Sequence, residues 1–258
     1  MSNRSPLKDK PLHNPGQSLE HQIYNLIVDK FMAPLLMLLV FGLLAGLEWW
    51  NYYHPVKTKP ILSIVILVLV IFYVLWTFFR FRSAFSKLLL GLKGEKVVGQ
   101  YLEKLREQHY QVFHDIVGES FNLDHVIIGP AGIFTIETKT YSKPHPDAKI
   151  VFDGETILVN GIKPDRDPVK QAKAQTHWLR RILSESTGRT FDVWPVIVFP
   201  GWWVEQKPGS TRQIWVLEPK ALPSFLSNQP KVLAPEDVKL AGFHLSRIIR
   251  TQKDEGQR

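Results

Sequence analysis

The sequence predicts an α/β domain, a mixed central sheet with flanking helices, preceded by a two-helix transmembrane hairpin. Three observations predict it. Two apolar runs stand near the N-terminus, strand-like and helix-like patterns alternate beyond Arg80, and the Val, Ile and Phe runs of that second part are punctuated by Gly and Pro.

The hairpin comes first. Phe31 to Leu47 is a run of 17 uncharged, mostly apolar residues, and Pro60 to Phe79 is a run of 20, against the roughly 20 residues that cross a bilayer's hydrocarbon core as a helix. The spans are expected at about 31–50 and 60–79. The connection between them carries Trp49, Trp50, Tyr52 and Tyr53, amphipathic rings suited to the lipid–water interface, and Pro55, which favours a turn. A cleaved signal sequence is disfavoured, because 30 residues precede the first run and no Ala-x-Ala pattern follows it. Arg80, Arg82, Lys87, Lys93 and Lys96 follow the second span, against Lys57 and Lys59 in the short loop. That asymmetry predicts a two-span protein of a plasma or inner membrane with both termini in the cytoplasm. The expected divisions are a polar cytoplasmic tail over 1–30, the hairpin over 31–79, a basic juxtamembrane linker over 80–90 and a folded domain over 91–258. Leu19 to Phe31 could extend the first helix.

Composition narrows the chemistry. The absence of cysteine excludes a disulfide framework, a zinc finger and a cysteine nucleophile. From Arg80 onward 26 Lys and Arg stand against 20 Asp and Glu, an excess that suits a polyanion, although the Arg80 to Lys96 cluster would serve anionic lipid headgroups equally well.

Within the domain, Leu92 to Gln108 has helical spacing, with Val97, Val98, Tyr101, Leu102 and Leu105 on one stripe. Tyr110 to Ile116, Leu123 to Gly129 and Gly132 to Thr140 read as an antiparallel meander, and Lys149 to Asp153 with Thr156 to Val159 as a hairpin around Gly154. Asp167 caps a helix with Pro168 at its first position, Gly188 ends it, and Val169, Ala172, Thr176, Leu179 and Leu183 form its buried stripe. Asp192 to Phe199 is the continuous apolar run of a buried central strand. Arg212 to Leu217 adds a strand, and Pro235 to Gln252 a last helix with Val238, Ala241, Leu245, Ile248 and Ile249 inward.

The chemistry concentrates in Asn122 to Lys139. Ionised groups are costly to desolvate, so Asp124, Glu137 and Lys139 among so many apolar residues demand a reason. Strand alternation puts Glu137 and Lys139 on one face. A turn centred on Pro130 and Ala131 sets Asp124 opposite Glu137; Pro130 disfavours primed two-residue turns, so a longer loop would shift that pairing by one. Two facing carboxylates repel unless one is protonated or a divalent cation binds between them. Oxygen donors without His or Cys select Mg²⁺ or Mn²⁺ over zinc. The combination points to phosphodiester hydrolysis, and the plain alternative is a solvated face with a salt bridge.

Gly94-Glu95, Asp124-His125-Val126, Gly129-Pro130-x-Gly132-Ile133-Phe134, Ile136-Glu137-x-Lys139 and Asp167-Pro168 before Gln171, in that order, resemble the nuclease-related (NERD) domain. That family is similar to the PD-(D/E)XK restriction-endonuclease-like nucleases. The resemblance covers about 91–199. It implies a restriction-endonuclease-like fold, Asp124 and Glu137 as metal ligands, Lys139 as the catalytic lysine, Glu95 as an accessory acid and Gln171 as a helical glutamine near the site. It also implies a Mg²⁺-dependent or Mn²⁺-dependent hydrolase acting on nucleic acid, DNA ahead of RNA. The segment Thr140-Tyr141-Ser142-Lys143-Pro144 departs from the family's pattern at the substrate edge.

Bland readings accompany each of these residues. Glu95 would also favour a helix N-terminus. Gln171, Gln175 and Trp178 share one helical side, a nucleic-acid contact or a mixed surface stripe, and the surface reading is favoured for Gln175 and Trp178. His125 points away from Asp124 and reads as a packing or polar residue rather than a metal ligand; Trp202 and Trp203 after Pro200-Gly201 could stack on bases, but the packing reading is favoured. Two rival functions stand beside the nuclease: a non-cleaving nucleic-acid-binding or scaffolding module tethered to the membrane, and a lipid-surface or protein-interaction module.

Overall fold

The computed structural model describes residues 12–54, 61–118 and 121–255, which fall into two compact units, one of residues 18–89 and the other of the segment up to Gln17 together with 90–258. The Pro55 turn, Lys57, Lys59, Pro60 and the tail prolines Pro6 and Pro11 lie outside the described residues.

In the first unit, α1 (Gln17–Ile27) runs through a π-helical turn, Val28–Met32, into α2 (Ala33–Tyr53). Pro34 explains the turn's position, since it has no amide to continue the helical ladder. The long α3 (Ile61–Glu103) follows, and residues 80–90 are helical within it. Two helices, over Gln17–Tyr53 and Ile64–Gln108, are long and apolar enough to cross a membrane. Leu36 is 64% exposed and Phe72 70%, apolar surface of the kind that either packs into a core or faces lipid.

The second unit is built on a five-stranded mixed sheet of order β1-β2-β3-β6-β8. β1 (Gln111–Val117), β2 (Asn122–Gly129) and β3 (Gly132–Thr138) form the expected antiparallel meander, and β6 (Val193–Val198) and β8 (Trp215–Leu217) continue it in parallel. The β2–β3 register pairs His125 with Ile136 and Gly129 with Gly132, so the connection holds only Pro130 and Ala131. Gly132, at φ 130°, absorbs the turn that the proline ring cannot make.

A second sheet of order β5-β4-β7 stands apart from the first: β4 (Lys149–Phe152), β5 (Ile157–Val159) and β7 (Trp203–Gln206). α4 (Pro168–Thr187) begins where Asp167 accepts from the amides of Val169 and Lys170 and ends at Gly188, φ 69°. α5 (Leu222–Ser227) and α6 (Pro235–Glu255) complete the chain.

Strand alternation divides the sheet's apolar residues between two cores. On one face Ile127, Phe134, Ile136, Val196 and Val198 pack with Val98, Leu102 and Leu105 of the helical segment before β1 and with Leu222 and Leu226 of α5. On the other, Val126, Ile128 and Ile133 meet Leu179 and Leu183 of α4 and Val238, Ala241 and Leu245 of α6. A third cluster joins the small sheet to the N-terminal turn of α4.

β7 and α5 are not among the elements predicted from the sequence. The segment expected as a strand over 212–217 divides into a short 3₁₀ turn, Ser210–Arg212, and β8. Ile248 is half-buried rather than fully inward.

Candidate active site

The site forms where β2, β3, α3 and α4 meet. Because His125 pairs with Ile136, the next position outward sets Asp124 against the Glu137–Thr138 step, and Asp124 Oδ2 accepts from the Thr138 amide at 2.7 Å. The unshifted register therefore holds. Lys139 continues the ladder one residue past β3, its amide donating to Val198 at 2.9 Å. Its ammonium donates to Glu137 Oε1 at 2.6 Å and to Gln171 Oε1 at 2.9 Å.

α4 is positioned for this by its Asp167-Pro168 start, which places Gln171 and Gln175 one turn apart. Gln171 donates to Glu137 Oε1 and Gln175 to Glu137 Oε2, each at 2.6 Å, and Gln175 also donates to the Asn122 carbonyl at 2.9 Å. Both oxygens of Glu137 are thus held. The expectation of a surface stripe is wrong for Gln175, which is 1% exposed, and for Trp178, 5% exposed. A glutamine can be buried here because a carboxylate accepts from it.

α3 brings Glu95. Gly94 makes its approach possible, since a Cβ there would stand 1.8 Å from Thr140 Oγ1. Burial and the nearby Asp115 and Glu137 carboxylates push Glu95 up to about 8, against the pull of Lys139 and of the Gly16 amide. Asp124 is raised well above the usual carboxylate range by burial, then by Glu137 and Glu95. Burial alone would lower Lys139, but Glu137 and Asp124 outweigh it and hold the ammonium above its ordinary value. The five predicted residues, Glu95, Asp124, Glu137, Lys139 and Gln171, are therefore brought into one electrostatic group.

Two members escaped sequence reasoning: Gln175 and Asp115. Asp115 is buried with a left-handed backbone at φ 49°. It faces Asp124 by the β1–β2 register, which pairs His114 with His125 and Ile116 with Leu123. The strand pattern alone contained that relationship.

His125 lies on the other face, fully buried, as strand alternation requires. Its Nδ1 is 2.9 Å from His114 Nδ1, whose Nε2 is 2.8 Å from Glu103 Oε1. The consistent tautomers have His114 donating to Glu103 and His125 donating to His114, which leaves His125 Nε2 as an unpartnered acceptor. Burial lowers both imidazoles, His125 further because of its neighbour, so the pair is neutral. Trp202 is packed, with Nε1 donating to the Tyr141 carbonyl at 3.2 Å. Trp203 is 72% exposed, a correction to its reading as a packing residue.

The donor set fits a hard divalent cation. It offers oxygen ligands, and burial together with the neighbouring carboxylates, which raises Glu95 and Asp124, is what such an ion offsets. Among the described residues no group of three or more His, Asp or Glu side chains is placed to hold a metal ion by itself. Mg²⁺ is commonly bound through one or two carboxylates, with water and substrate phosphate completing its shell.

Residues 90–200 match the family described as "Nuclease-related domain" (NERD). An uncharacterized protein of Bacillus anthracis is 38% identical over 56 residues, 20% of this chain and 26% of that protein. The alignment thus spans about a quarter of that relative's length. No solved structure matches the chain. All the site residues named above from Glu95 to Gln175 fall inside the matched residues 90–200.

Proposed function

We propose that this protein is a membrane-anchored, Mg²⁺-dependent or Mn²⁺-dependent nuclease that hydrolyses phosphodiester bonds, in DNA ahead of RNA. The observation that carries the reading is Lys139 tied to Glu137 and Gln171 beside Asp124 and Glu95, inside the nuclease-related domain. Asp124 and Glu137 would hold the ion, with Glu95 close by. The ion would supply an activated water and charge to offset that on the phosphate. Lys139 orients the attacking water or stabilises the developing phosphate charge. Gln171 and Gln175 hold Glu137 in one rotamer, so that the ligand geometry is set before substrate arrives.

The packing of residues 12–17 in the same unit as 90–258 supports a hairpin whose two ends lie on one side of the membrane, since one folded unit cannot straddle it. With the Lys and Arg excess after the second span, that side is the cytoplasm. A reporter fused after Arg258 is expected to be active only there; activity on the opposite side would reject this orientation.

A second reading rests on the saturation of Glu137. Its two oxygens already accept three side-chain donors, as in a carboxylate with a structural role. That favours a non-cleaving nucleic-acid-binding module. Purified full-length protein, assayed on plasmid, linear DNA and RNA with Mg²⁺, Mn²⁺ or chelator, separates the two. Metal-dependent product supports the nuclease, and binding without product on every substrate supports the module.

A further inference from the structure

The segment before the first apolar helix lies on the domain rather than apart from it. Leu12 packs against the core cluster of α4 and α6, and His13 Nδ1 donates to the Asp115 carbonyl at 2.6 Å. Asn14 closes a turn with Gln17, through contacts of 3.1 and 3.2 Å. Pro15 lies on Gly99 so closely that a Cβ on Gly99 would stand 2.4 Å from Pro15 Cγ and 2.8 Å from its Cβ. The Gly16 backbone lies close enough to the Glu95 carboxylate for its amide to favour the charged form. A Cβ on Gly16 would stand 2.5 Å from Leu92 Cδ1 and 3.5 Å from Glu95 Oε2, and the residue's φ of 73° suits only glycine well.

These contacts converge on two site residues, the backbone of Asp115 and the side chain of Glu95. The helix at Glu95 supplies no donor of its own to that carboxylate, because helical amides past the first turn are committed to carbonyls one turn back. A backbone amide from another segment can supply one, and a backbone donor fixes a rotamer more tightly than a surface side chain would.

We propose that residues 12–16 are a positioning strap, which fixes the Glu95 carboxylate for phosphodiester cleavage and makes the domain's site depend on the chain that precedes the membrane hairpin. The inference rests on the nuclease reading, and it deepens that reading. It also implies that a fragment beginning after the second apolar helix lacks part of its site.

Gly99→Ala in the full-length protein tests it, because alanine is the better helix former while its methyl collides with a rigid proline ring. The expected result is kcat lower by about tenfold or more, with KM and thermal stability little changed. In a Glu95→Gln background the same substitution is expected to add nothing, since both act through one carboxylate. Losses that multiply in the double variant would overturn the strap's action through Glu95, as would an unchanged kcat in Gly99→Ala.

Hydrogen exchange at the Gly16 amide decides the contact without any cleavage. Its exchange should quicken by about tenfold or more in Glu95→Ala, and an unchanged rate overturns the strap. Wild-type protein that cleaves no substrate would overturn the nuclease reading and the catalytic part of this inference, while the exchange result still decides the contact.

Discussion

The ammonium of Lys139 lies 2.6 Å from Oε1 of Glu137, two positions back along the same strand direction. Successive side chains of a strand alternate, so only an i, i+2 spacing gives a carboxylate and an amine one face and this separation. Gln171 then bridges them, accepting from the lysine at 2.9 Å and donating to the same carboxylate oxygen at 2.6 Å. The lysine is thereby held charged and aimed in a partly buried place, where a free ammonium would be costly.

Lys139→Ala is expected to abolish cleavage, by about 100-fold or more, while DNA affinity stays within a few-fold of wild type, because many other basic residues can meet phosphates. Product formation measured beside affinity at two salt concentrations checks it. Cleavage surviving in highly purified variant protein would remove the lysine from the mechanism. A loss of affinity with a shallower salt slope would mark it as a phosphate contact alone.

Asp124 and Glu137 are expected to diverge when neutralised. Asp124 is crowded by like charges, so Asp124→Asn should leave the metal-free protein as stable as wild type or more so. Glu137 is instead the acceptor for Lys139, Gln171 and Gln175. Glu137→Ala strands three donors, with an expected cost of about 3 kcal/mol. Both changes should abolish Mn²⁺ binding in calorimetric titration. Unchanged binding in either would exclude that carboxylate from the metal site.

The contrast between those two residues shows what the sequence could and could not reveal. Asp124 opposite Glu137 follows from a two-residue connection and strand alternation, both local, and the meander, the α4 cap at Asp167 and the buried β6 run are legible for the same reason. The partners of Glu137 are not local: Gln175 comes from 38 residues away. A glutamine at a helical position gives no signal of burial until the carboxylate across from it is known. Trp178 misleads in the same way, since its helical side appears polar until the sheet covers it. Likewise β7 and α5 are four and six residues long, too short for periodicity to stand out. The contact of residues 12–16 with Glu95 is set by tertiary packing across about 80 residues of chain and leaves only Gly16 and Gly99 as traces.

Gln175→Leu tests the buried helical amide directly. The substitution keeps the side chain's bulk but removes the donors to Glu137 Oε2 and the Asn122 carbonyl. The expected cost is about 2 kcal/mol in unfolding free energy. Cleavage should also fall by about tenfold, because Glu137 gains rotamers it did not have. Gln175→Glu should be worse on both counts, since it faces a carboxylate with another. Denaturant unfolding and initial rates on one DNA substrate measure the two effects, and wild-type values in Gln175→Leu would show that Glu137 needs no second support.

The pH dependence of stability carries the sign of Glu95. Its carboxyl is pushed up to about 8 from an ordinary value of 4.5. Between those values the folded state keeps a proton that the unfolded state has released, so stability falls as pH rises through this window and levels off above it. Asp124, raised for the same reasons, adds to the fall. For the metal-free protein the loss is expected to be on the order of a few kcal/mol from pH 5 to pH 8. Glu95→Gln removes one titrating group and one of the charges beside Asp124, whose burial and Glu137 neighbour remain, so its stability should fall less steeply over the same range. Thermal unfolding of the full-length protein in detergent with chelator, at half-unit steps of pH, compares the slopes. A wild-type slope as flat as that of Glu95→Gln would mean that Glu95 is ionised at neutral pH and that the carboxylates do not crowd one another as their positions require.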